Sequence, residues 1–159
     1  MGEVKIPDDK MLARTFSEDL SLHEVREKIQ ILEDEFSKLP QIAIETNHYF
    51  SKGVYAREIK APSGSILIGK IHKHENLNIL SQGEISVFSI DGMSKIKAPA
   101  TIVSSPGVKR VAYVHDDVIW TTIHGTDETD LDKIEEEFIA KTYDDVQYLS
   151  NSEEKKCLG

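Results

Sequence analysis

The chain has 159 residues and a net charge of −9, with 39% hydrophobic and 30% charged residues. These values are typical of one soluble globular domain with its own core. The single cysteine, Cys157, excludes an internal disulfide and metal sites built from several cysteines. No run of about 18 apolar residues is present, which predicts no membrane contact, and the polar N-terminus lacks the apolar stretch of a signal peptide, so we expect a cytoplasmic protein.

The charge is unevenly distributed. Residues 46–115 carry 9 Lys/Arg against 4 Asp/Glu, whereas both flanking segments are acidic. The acidic total argues against binding of a nucleic-acid polymer, which needs many Lys/Arg contacts to phosphates. The basic middle still allows a local site for a small anion.

Residues 1–20 show no clear period and are predicted to form a loosely ordered arm. Residues 21–39 predict an amphipathic helix that ends before Pro40, because apolar residues recur at spacings of three and four. Ser21 and Glu24 have the spacing of a capping box. The apolar stripe comprises Leu22, Val25, Ile29, Leu32, Phe36 and Leu39. It could pack on a sheet of the same chain or pair with a second copy in a homodimer.

From residue 41 onward, short runs rich in Val, Ile, Thr and Tyr alternate with turn residues, which predicts strands. Asp91-Gly92 is the strongest hairpin signal and favours a type I′ turn. Gln82-Gly83 and Asp116-Asp117 are read as breaks between strands. The candidate strands are 52–60, 65–72, 76–81, 84–90, 93–98, 100–104, 109–115 and 117–124. Such a series predicts an antiparallel sandwich or barrel.

After Gly125 the pattern becomes helical again, with Leu131, Ile134 and Phe138 on one face. The polar last ten residues predict a frayed tail. The chain therefore divides into an N-terminal arm and helix (1–45), a β-barrel (46–125), and a C-terminal helix and tail (126–159).

Two histidines, His72 and His74, lie two apart in a predicted strand, so they would project from the same face toward one metal ion. Residues 64–83, with a glycine, this pair and Gly83, resemble the first motif of the cupin superfamily. The stretch "SPGVKR" (105–110) resembles the start of the second motif. With "HDDVIWTTIH" (115–124), the chain also resembles small cupin-like proteins of tailed phages. The resemblance implies a mainly β, antiparallel jelly-roll barrel, here flanked by the two helices.

The resemblance implies a metal site of three histidines and one glutamate, but this sequence departs from it. The motif spacing places Asn78 or Asn76 at the glutamate position and Arg110 at the third histidine. Neither amide is a carboxylate, and an arginine cannot be a ligand. His115 could complete a site with the first two histidines for Fe, Zn, Mn or Ni. His124 closes the next strand and is expected toward the opposite end, away from His72, His74 and His115. The alternative is that the histidines bind no metal.

An inward-pointing Arg110, with Lys109 nearby, would make the pocket cationic and suited to a carboxylate or phosphate. Asn76, Asn78, Tyr113 and Thr122 could add neutral hydrogen bonds. Alternatively, Arg110 pairs with an internal carboxylate of the protein. Three functions stay open: a metal-dependent enzyme acting on a small anion, a metal-free module binding an anionic metabolite or nucleotide, and an oligomeric interaction protein.

Overall fold

The computed structural model describes residues 8–16 and 19–146. The helices are α1 (Asp9–Thr15), α2 (Leu22–Phe36) and α3 (Leu131–Phe138). The strands are β1 (Glu45–Ser51), β2 (Val54–Ala61), β3 (Ile66–Ile68), β4 (Ile71–His72), β5 (Asn76–Ser89), β6 (Gly92–Lys97), β7 (Ala100–Ser104), β8 (Val111–His124) and β9 (Ile139–Ala140). Seven strands form an antiparallel sheet in the order β1-β2-β8-β5-β6, with β3 on β8 and β7 on β5; β4 pairs with β9.

Two long strands, β5 and β8, organise the sheet. The first half of β5 pairs with β7 and the end of β8, and its second half pairs with β6 and the start of β8. The predicted breaks at Gln82-Gly83 and Asp116-Asp117 are therefore wrong, because both strands run through these positions. Between Leu80 and Ile85 the register shifts at an irregularity centred on Gly83.

The irregularity at Gly83 changes which residues face inward. Gly83 has a φ of +91°, and a Cβ there would lie 2.5 Å from the Asp117 carbonyl oxygen, so only glycine fits. Before it, Leu80 faces the core; after it, Ile85 and Val87 do. The residues of β5 that face the core therefore have even numbers before Gly83 and odd numbers after it.

The two halves of the bent sheet share one core. Its buried members are Ala61, Leu80, Ile85, Val87, Val114 and Val118. Residues from before and after the bend thus pack together, which requires the halves to face each other. The mainly β, antiparallel architecture agrees with the prediction, while closure into a barrel stays a prediction.

Helix α2 covers the outer face of the sheet. Ser21 and Glu24 form the reciprocal capping box, and the buried Val25 and Ile29 pack against Phe88 and Val111. The middle of the apolar stripe, Val25, Ile29 and Leu32, is thus used within the chain, whereas Leu22 is exposed; the homodimer stays a prediction.

The N-terminal segment contains a helix that the sequence analysis missed. Asp8 caps α1 by accepting a hydrogen bond from the Met11 amide at 2.8 Å. Leu12 is fully buried in the same cluster as Val25 and Ile29. One buried anchor in seven residues is too short a pattern for periodicity to reveal. Residues 1–7 and 147–159, including Cys157 and the predicted tail, lie outside the described residues.

The Asp91-Gly92 hairpin joins β5 to β6, but only Gly92 has a positive φ, so the turn is not type I′. Strand β1 was not predicted, because its mostly exposed residues show no apolar alternation. Within the described residues, no helix has both the length and the apolar character needed to cross a membrane.

Candidate functional site

A cavity of about 230 Å³ lies between the two halves of the sheet, with α3 at its mouth. Its walls are mainly apolar and aromatic. They include Ile59, Leu67, Ile85, Val87, Val118, Trp120, Ile134 and Phe138. A concave apolar site with a few placed polar groups is the usual form of a small-molecule pocket.

A closed hydrogen-bond network centred on Asn78 forms the polar floor. The Asn78 Oδ1 accepts from the Thr122 hydroxyl at 2.8 Å and from the Trp120 indole N–H at 3.2 Å. Its Nδ2 donates to Asn76 Oδ1 and to Ser104 Oγ, both at 2.8 Å. Because both lone pairs of the amide oxygen are engaged, Asn78 is a structural centre whose own oxygen has no acceptor capacity left.

Arg110 enters this pocket beside the network. Its Nη1 donates to Ser104 Oγ at 2.8 Å, and no carboxylate among the described residues lies within ion-pair distance of the guanidinium. Burial lowers the pKa of Arg110, and the more distant charge of Asp91 opposes that effect. The guanidinium keeps its charge at neutral pH, so the pocket contains a cation whose hydrogen-bond partner, among the described residues, is a neutral hydroxyl.

His72 and His124 form a stacked pair on the pocket wall. Their ring centroids are 5.2 Å apart, and His124 also packs on Phe138 at 4.4 Å. Burial lowers the pKa of each to about 4, with His124 and Arg110 adding to the effect at His72 and His74 at His124. Both rings are therefore neutral at pH 7, and both Nδ1 atoms are buried without a hydrogen-bond partner among the described residues.

The expected position of His124 is thus wrong. Strand β4, which carries His72, does not pair with β8 but with β9, directly after α3. This pairing brings His72 to the end of the molecule where β8 finishes, next to His124.

The other predicted metal ligands lie elsewhere. Strand β4 ends at His72, and the chain bends through residues 73–74, so His74 is exposed and meets the edge of Phe138 at 5.7 Å. His115 lies on the outer face of β8, where its Nε2 is 2.7 Å from Ser86 Oγ.

The residues present do not fit the implied metal. Among residues 8–16 and 19–146, no group of three or more His, Cys, Asp or Glu side chains is arranged to hold an ion. Asn78 has its oxygen saturated, and Arg110, where the cupin resemblance implies the third histidine, cannot be a ligand. The donor set of a cupin metal centre is absent from this part of the chain.

Strand alternation also separates the predicted anion ligands. Ala112 and Val114 face inward, so Tyr113 lies on the outer face, packed with the helices and against His115. Lys109 leaves the pocket as well, since its ammonium pairs with Glu33 of α2. Asn76 and Asn78 do line the pocket with Arg110.

Sequence reasoning missed three residues of the site. Ser104 positions the guanidinium, and Arg57 and His124 line the pocket. Arg57 lies two residues from both Tyr55 and Ile59, so the strand pattern predicts that its side chain shares their inward face. Ser104 carried no such signal, because its role depends on β7 pairing with β5.

No protein-family model matches this chain, and the comparison with curated proteins found no match. Among solved structures, it resembles a cupin-2 domain containing protein from Shewanella frigidimarina (13% identity, TM-score 0.44, covering 60% of this chain and 92% of that one). It resembles an RmlC-like cupin family protein with a double-stranded β-helix fold from Methanocaldococcus jannaschii (14%, TM-score 0.42, 55% and 86%). It also resembles an acetylacetone dioxygenase from Acinetobacter johnsonii (17%, TM-score 0.45, 54% and 61%).

Cupin-domain proteins are thus among the solved structures similar to this chain. At sequence identities this low, the similarity concerns the fold alone, and TM-scores below 0.5 give no ground for inferring an activity. The resemblance to phage proteins stays a prediction.

Proposed function

We propose that this protein binds a small organic acid in the pocket between the two halves of its sheet, without a metal ion. The observation that carries the proposal is Arg110, a half-buried guanidinium in mainly apolar surroundings whose protein partner is the neutral Ser104 hydroxyl. A buried charge without a counter-ion is costly. A carboxylate that accepts two parallel N–H bonds supplies the missing charge.

The surroundings of Arg110 favour an acid with an apolar body. The aromatic and aliphatic walls fit hydrocarbon, and a cavity of about 230 Å³ suits a metabolite-sized acid. Asn78 and Ser104 hold the guanidinium in place before the ligand arrives, which reduces the entropy lost on binding. Metal-dependent chemistry is not supported by the donor set of the described residues.

The test is a thermal-shift and calorimetric screen of small monocarboxylates, such as valerate and benzoate, against wild type and Arg110→Gln. At about 100 times its Kd, a ligand should stabilise the wild type by about 2.7 kcal/mol. Arg110→Gln should lose this stabilisation, whereas Tyr113→Phe, three residues further on and on the outer face, should retain it.

The sign of the change in the ligand-free protein separates binding from structure. If Arg110 serves a ligand, Arg110→Gln should leave the ligand-free protein equally stable or more stable, because an unpaired charge is removed. A strongly destabilised variant, or acid binding that survives in Arg110→Gln, would overturn the proposal.

A further inference from the structure

We propose that the ligand is a dicarboxylate, with one carboxylate on Arg110 and the other on Arg57 at the pocket mouth. This inference rests on the proposed function and adds to it a second subsite that binds an anionic group. Arg57 lies on β2, lines the same cavity as Arg110, and is exposed. Among the described residues it has no carboxylate within ion-pair distance.

Strand register places the backbone of Arg57 two strands away from Asn78, on the side of the floor away from Ser104. Arg57 pairs with Thr122 of β8, and Thr122 pairs with Asn78 of β5. The backbone positions of Arg57 and Asn78 are therefore separated by two strand spacings, about 10 Å. Beyond Asn78, Ser104 of β7 holds Arg110. A short linear molecule lying along this row reaches both cations.

The balance of charge around the cavity matches a dianion. Lys70 is neutralised by Glu135 of α3 at 2.5 Å, which leaves the two arginines as the lining cations without a carboxylate partner in the described part of the chain. His72 lies within the field of both, since each lowers its pKa. A monocarboxylate would neutralise one of these charges, whereas a dicarboxylate neutralises both.

The neutral polar groups of the pocket also select for acceptors. The Nδ1 atoms of His72 and His124 are buried and unpaired in the described structure. An orphaned lone pair is tolerated better than an orphaned N–H, so each ring carries its proton on Nε2. The oxygen of Asn78 is saturated. The Nε2–H groups left for a ligand are thus donors. Glu135, the carboxylate of the cavity lining, is already paired with Lys70, and an ammonium beside Arg57 would meet a like charge.

The test compares three ligands of equal chain length that differ at the far end: glutarate, valerate and δ-aminovalerate. Calorimetry at fixed ionic strength should give glutarate about tenfold tighter binding than valerate, with δ-aminovalerate weakest, because the exposed Arg57 adds a modest, screened charge interaction. Succinate with butyrate, and adipate with hexanoate, cover other lengths.

Arg57→Gln should reduce glutarate binding to the level of valerate and leave valerate within about twofold of wild type. Lys60→Gln is the matched control, since it removes a cation from the same strand at a position that pairs with Glu45 outside the pocket. Arg110→Gln should abolish binding of all three.

The possible failures are distinguishable. If valerate binds through Arg110 but no dicarboxylate of the series binds more tightly, or if Arg57→Gln preserves the preference, the second subsite is wrong and the proposed function stands. If neither the monocarboxylates nor the dicarboxylates bind the wild type, both are wrong.

Discussion

The stacked pair of His72 and His124 should make the fold sensitive to mild acid. Both rings are neutral when folded, with pKa values of about 4, whereas an unfolded histidine titrates near 6.5. As the pH falls below about 6.5, the unfolded chain gains protons that the folded protein cannot accept. The contribution of the two histidines to the free energy of unfolding is therefore fully present above about pH 6.5. It declines as the pH falls from about 6.5 to about 4, and below pH 4 these histidines cause no further loss.

The magnitude follows from the two pKa values. With 6.5 in the unfolded state and about 4 in the folded state, linkage gives each histidine a loss of about 2 kcal/mol between pH 7 and pH 5. Carboxylates also titrate as the pH falls, so the wild-type profile alone does not isolate the histidines. The difference in pH dependence between wild type and His124→Phe does isolate His124, because phenylalanine removes the titrating group but keeps a ring between Tyr55 and Phe138.

The assay is urea unfolding at several pH values from 8 to 5. Between pH 7 and pH 5, wild type should lose about 2 kcal/mol more than His124→Phe. His124→Gln serves as a second variant in case the larger ring does not fit, and His23→Gln, at an exposed position of α2, controls for loss of an imidazole. Parallel profiles for wild type and both His124 variants would refute a neutral, buried His124.

Two further predictions concern the bend and the polar floor. Gly83→Ala should destabilise the fold by at least about 2 kcal/mol more than Gly92→Ala in urea unfolding, since both have a positive φ but only Gly83 lies against backbone; equal losses would contradict a steric role. Asn78→Asp should lower the free energy of unfolding by about 1–3 kcal/mol, because it removes the donors to Asn76 and Ser104. It should also remain free of stoichiometric zinc by mass spectrometry after dialysis against the metal, and one bound equivalent would contradict the reading of the floor as structural.

Local patterns predicted the elements whose signals are themselves local. The capping box at Ser21 and Glu24 and the apolar spacing after it define α2, because a helix repeats within a few residues. The Asp91-Gly92 hairpin was found for the same reason. The replacement of expected ligands by Asn78 and Arg110 could also be read from the sequence, and both residues do line the pocket.

The orientation of individual side chains needed the strand pairing. The inward set of β8 continues from Ala112 to Val114, which sends Tyr113 and His115 to the outer face. The sequence predicts two separate strands here, but β8 is continuous from Val111 to His124, and the face of each residue depends on its neighbours in that one strand.

The sequence by itself determined that this chain forms antiparallel strands with amphipathic helices, and that an arginine stands where a metal-binding histidine was expected. Only the tertiary structure decided the composition of the pocket. The bend at Gly83 exchanges inward for outward positions along β5, and the pairing of β4 with β9 brings His72 to His124. Both depend on contacts between residues far apart in the chain, which a local pattern does not encode.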